Sequence, residues 1–204
     1  MKYPVTRFKN LTLALKELER FIRDDRVIQS GEPLDKFGGM LPREAIANWL
    51  LCAVANSRTE ADRMTFCSDP TGGDGIIYDT KDQHTWLTEH VVVPSIVGGE
   101  GVDIEALVLE AINQKNGKGK AYASGKTLVV FQTARGENWH PNRVAKQLPD
   151  PLHFDDVYVV GLRAVEDGSY VYQVTNLDVG AGNAPVLLVR ISKDFDGWTV
   201  ETIQ

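Results

Sequence analysis

Three apolar runs, VVV at 91–93, LVVF at 128–131 and VYVV at 157–160, constrain what this chain can fold into. TWLTEHVVVP alternates and then turns apolar, and KTLVVFQT is apolar through its middle; strands of that kind are buried on both faces. The segments between the runs read as helices. Ile104, Leu107, Val108, Ala111 and Ile112 fall on one helical face behind a capping Asp103, and PNRVAKQL begins a short helix at proline. Strand, helix, strand, helix, strand implies a sheet covered on both sides.

The rest of the chain extends this unit. Leu11, Leu15, Leu18 and Ile22 place an amphipathic helix over residues 9–27, and EPLDKFGGML interrupts the periodicity. Pro42 then opens a second helix, with Ile46, Trp49, Leu50 and Ala53 on one face to about Asn56. MTFCSD and GIIYDT are short strands joined by the turn DPTGG. GSYVYQVTNL, PVLLVRISK and DGWTVETI alternate as a closing meander over 168–203. The order α-α-β-β-β-α-β-α-β-β-β describes one α/β domain over 1–204, with a central mixed sheet flanked by helices.

Composition excludes several classes. No apolar stretch approaches the roughly 18 residues that span a bilayer, so no membrane partner is expected. MKYPVTRFKN has charges and a proline where an export signal needs apolar residues. Cys52 and Cys67 form no disulfide framework, which suits a reducing cytoplasm, and are expected to pack as small apolar side chains. His84, His90, His140 and His153 lack zinc-site spacing, and neither a P-loop nor a nucleophile elbow occurs.

The net charge of −6, from 22 Lys+Arg and 28 Asp+Glu, speaks against coating of polyanions by the whole surface. Its distribution speaks differently. Residues 115–146 hold seven basic residues and one acid; the tail from 147 holds three basic residues and nine acids. A basic strip in an acidic chain is either a solvated lysine-rich edge or a face that meets a phosphate backbone.

Two carboxylates stand out. Asp74 lies between glycines at the start of a strand, where the backbone can be approached closely, and Glu89 interrupts an apolar strand. A hairpin of GIIYD and TWLTEHV brings them side by side, and two carboxylates with a main-chain carbonyl are hard oxygen ligands suited to Mg²⁺ or Mn²⁺. The plainer alternatives are a turn aspartate and an edge-strand glutamate paired with a lysine or arginine. His90 faces away from Glu89 in a regular strand, as a packed or surface histidine or else a base. Trp139-His140-Pro141-Asn142-Arg143 either covers the edge of the core or presents Trp139 to a base and Arg143, with a helix start, to a phosphate.

The order helix, three strands, helix, strand, with Asp opening the second strand and Glu in the third, resembles the core of the PD-(D/E)xK nuclease superfamily over about residues 42–162. Within it, the chain is most similar to an uncharacterised bacterial family of predicted endonucleases. The resemblance implies a restriction-endonuclease-like core and a Mg²⁺- or Mn²⁺-dependent hydrolase that cuts DNA or RNA. Glu44 would be the helix glutamate, Asp74 the second-strand aspartate and Glu89 the acid of the third motif. Asp74 and Glu89 would be the metal ligands. Val91 stands where the motif has lysine. Lys118 and Lys120, with Lys115 and Gln114 as further candidates, could supply the polar group from beyond the next helix. Lys115, Lys126, Arg135 and Arg143 would hold the nucleic-acid backbone. The alternative is an inactive member of the fold that binds nucleic acid or protein. The terminal strands could also pair two copies as a homodimer.

Overall fold

The computed structural model describes residues 10–24, 36–59, 61–93, 103–133, 139–177 and 183–204. Its frame is one eight-stranded sheet whose spatial order follows the chain, β1 (Met64–Cys67), β2 (Gly75–Asp79), β3 (His84–Val93), β4 (Lys126–Gln132), β5 (Asp156–Glu166), β6 (Ser169–Asn176), β7 (Val186–Ile191) and β8 (Trp198–Thr202). β3, β4 and β5 are parallel neighbours, and every other pairing is antiparallel. The mixed sheet read from the sequence is present, and the closing meander continues it rather than forming a separate layer.

Parallel neighbours need crossovers, and these are helical. α3 (Ile104–Asn116) joins β3 to β4, with Asp103 accepting the Ala106 N–H at 3.1 Å as the expected cap. Beyond it come a single turn, α4 (Lys120–Ala123), which the sequence pattern does not disclose, and α5 (Pro141–Ala145) between β4 and β5. α1 (Leu11–Arg23) and α2 (Pro42–Thr59) precede the sheet. α2 runs one turn beyond the expected end at Asn56. α1 ends at Arg23, inside the expected 9–27 segment, of which residues 9 and 25–27 lie outside the described residues.

Alternation along β4 divides the core. Val129 and Phe131 pack with α1 and α2, while Leu128 and Val130 pack with α3 and α5. Both side-chain sets are buried, which is why the run LVVF contains no polar residue. Cys52 and Cys67 are buried and free, and burial pushes the Cys67 thiol up to about 11. Among the described residues no helix is long and apolar enough to cross a membrane.

Candidate functional site

β2 and β3 form the antiparallel hairpin expected from the sequence, with Gly75 opposite Thr88, so the residue before Gly75 faces the middle of β3. Asp74 Oδ2 accepts the His90 N–H at 2.7 Å. Gly75 is required by closeness: a Cβ there would sit 2.2 Å from Asn48 Nδ2, a polar side chain on the buried face of α2.

Glu89 and His90 point to opposite sides of β3, as strand alternation requires. On the α2 side, His90 is buried, its Nε2 lies 3.2 Å from Asn48 Oδ1, and desolvation holds its pKa down near 3. The imidazole is therefore a neutral packed group, the blander of the two readings. On the α3 side, Glu89 Oε1 meets Lys115 Nζ at 2.5 Å, and Lys126 Nζ lies 3.8 Å from Oε2. Burial opposes ionisation of Glu89, but Lys115 and the neighbouring Tyr122 hydroxyl outweigh it, so the carboxyl sits below its ordinary value.

Glu44 occupies the first turn of α2, where its Oε2 accepts the Leu41 N–H at 2.8 Å, half of a capping box. Desolvation raises its pKa to about 6, with Asp74 and Glu89 adding repulsion. Asp74 is also raised, by burial first and by Glu89 second. The three carboxylates thus act on one another. Of the lysines considered for the vacant motif position, Lys115 reaches Glu89. Lys118 lies against Tyr122, and Lys120 and Gln114 are exposed.

The hard oxygens of Asp74 and Glu89 suit a divalent cation, and among the described residues Asp74 has no ion-pair partner that would compete with one. Among those residues no three His, Cys, Asp or Glu side chains are grouped to hold a metal. An ion at the two carboxylates would need main-chain oxygen and water to complete its shell.

Other expected contacts fall elsewhere. Arg143 is exposed and lies 3.5 Å from Glu105 Oε2, while Glu105 Oε1 takes the His140 N–H at 2.9 Å. Trp139 packs at the edge of the α3-side core, and its indole Nε1 is buried without a hydrogen-bond partner. Arg135 lies outside the described residues. Tyr122, Asn48 and Glu105 are the residues that pattern reading missed. For Asn48 a signal existed, since it lies four residues after Glu44 on a face that is otherwise apolar.

No protein-family model matches the chain, and neither does any curated protein.

Proposed function

We propose that this chain is a metal-dependent, nuclease-like hydrolase of phosphodiester bonds with a restriction-endonuclease-like core. The observation that carries the reading is the Lys115 ammonium, which meets Glu89 2.5 Å away on the same hairpin as Asp74. It supplies from α3 the amine that Val91 cannot. The succession α2, β1, β2, β3, α3, β4, with β1–β2–β3 antiparallel and β4 parallel to β3, supports the same core.

Asp74 and Glu89 would hold Mg²⁺ or Mn²⁺, which when bound supplies a more acidic water and charge stabilisation at the phosphate. Lys115 fixes the Glu89 carboxylate and places positive charge where a phosphate oxygen would lie. Glu44, with its pKa raised to about 6, can exchange a proton near neutral pH. Lys126 is within reach of the backbone from the same side.

The test is cleavage of plasmid, single-stranded DNA and RNA in Mg²⁺ and Mn²⁺ by the wild type, Asp74→Ala and Lys115→Met. The expected result is a loss of roughly 100-fold or more in both variants, the scale of removing a charge-stabilising group. Cleavage that survives Asp74→Ala sinks the assignment. A second reading, an inactive fold member that binds nucleic acid, is favoured by the approach of one lysine to each Glu89 oxygen. It predicts salt-sensitive binding with no cleavage in either metal.

A further inference from the structure

Two lysines, one from just past the end of α3 and one from the start of β4, meet on one phenol. Lys118 Nζ lies 3.2 Å from the Tyr122 hydroxyl and 4.5 Å from the ring centre. Lys126 Nζ lies 4.4 Å from the same ring centre, and both Lys126 and Lys115 reach Glu89. The electron-rich ring face lets the fold hold ammonium groups together that would otherwise repel one another. Lys115 and Lys126 hold Glu89, and Lys118, which has no carboxylate partner among the described residues, is exposed.

The chemistry that fits is a phosphate. Ammonium groups at Tyr122 and a Phe154 ring edge-on to it, 6.3 Å away, do not leave the phenol free as a stacking surface for bases. Recognition there is by charge and takes no account of base identity. We propose that Lys118 and Lys126, ordered on Tyr122, form a seat for a backbone phosphate of nucleic acid, immediately beside Glu89. The substrate class rests on the nuclease-like reading; the seat itself does not depend on cleavage.

The experiment is fluorescence anisotropy of two labelled single-stranded oligonucleotides of different sequence, in EDTA, across a salt series. The proteins are the wild type, Lys118→Met/Lys126→Met, Tyr122→Phe, Asp74→Ala and Lys81→Met, the last removing a single charge on the exposed β2–β3 turn. The double variant is expected to bind both sequences roughly tenfold more weakly, with a salt slope shallower by about 1.4, the value for two lost single-strand phosphate contacts. Tyr122→Phe should weaken binding less than the double variant, and Lys81→Met should match the wild type. Unlabelled oligonucleotide should displace the probe better than inorganic polyphosphate at equal phosphate concentration; the reverse order would overturn the nucleic-acid assignment. Binding by the double variant within twofold of Lys81→Met would overturn the seat. If Asp74→Ala stops cleavage while the lysine variants bind normally, the seat alone fails. If nothing cleaves but binding follows the lysines, the nuclease reading alone fails.

Discussion

The two ends of the short strand β2 each carry an aspartate, and the fold treats them in opposite ways. Asp79 closes one end. Arg63 donates to it from Nε at 2.9 Å and from Nη2, the Lys81 and Asp82 N–H groups add to it, and its pKa falls to about 2. Asp74, at the other end, receives one N–H from His90, has no ion-pair partner among the described residues, and is raised by burial and by Glu89. A carboxylate that serves the fold is neutralised by an arginine and its neighbouring N–H groups. Burial without a cationic partner in contact weakens the fold instead, because it disfavours the charged form of Asp74.

Substitutions at the two ends can break this contrast. The largest expected effect is Gly75→Ala, which forces a methyl group against the Asn48 amide and should destabilise by about 3 kcal/mol in urea unfolding. A loss under 1 kcal/mol would mean that α2 and the hairpin are not held this tightly. Next comes Asp79→Asn, expected to cost about 2 kcal/mol at pH 7 through the loss of charged hydrogen bonds to Arg63. The Asp79 carboxyl is depressed in the fold, so its contribution is present above the ordinary aspartate value and disappears as pH falls toward about 2. The difference between wild type and variant should therefore close in acid.

The smallest effect has the opposite sign. Glu44 is raised to about 6, so the folded protein binds more protons than the unfolded chain between about 4.5 and 6, and stability falls as pH rises through that window. Glu44→Gln keeps an acceptor for the Leu41 N–H and removes the charge. It should stabilise by about 1 kcal/mol at pH 7 and leave stability unchanged near pH 4. Thermal denaturation at both pH values decides this, and destabilisation at pH 7 would mean that burial does not penalise the Glu44 carboxylate.

Much of this arrangement was legible in the sequence, for local reasons. Glycine before an apolar alternation announces the start of β2, and the apolar run after His90 announces β3, so the hairpin and the pairing of Asp74 with Glu89 follow from neighbouring residues. Asp103 and Pro42 similarly mark helix starts. Which lysine meets Glu89 was not legible. Lys115, Lys118 and Lys120 are equivalent on paper, and only the seating of α3 on the sheet makes Lys115 the one that meets Glu89. Tyr122 was hidden because four residues of helix carry no periodicity. The acceptor for His140 and Arg143 was hidden too, since Glu105 lies 35 residues away from His140 on another element.

The seating of α1 carries a consequence in time. Its Lys16 and Arg23 donate to the main-chain oxygens of Asp194 and Lys193 at 2.8 and 2.7 Å, and its apolar side packs with Val189, Ile191 and Phe195. The Trp49 indole, which bonds the Leu11 carbonyl at 2.9 Å, rests edge-on against Trp198. During synthesis this helix emerges long before its cover does. At ribosomal speed the wait is on the order of ten seconds or more, with Leu15, Leu18 and Ile22 lacking the part of their cover that Val189, Ile191 and Phe195 supply until the last strands arrive.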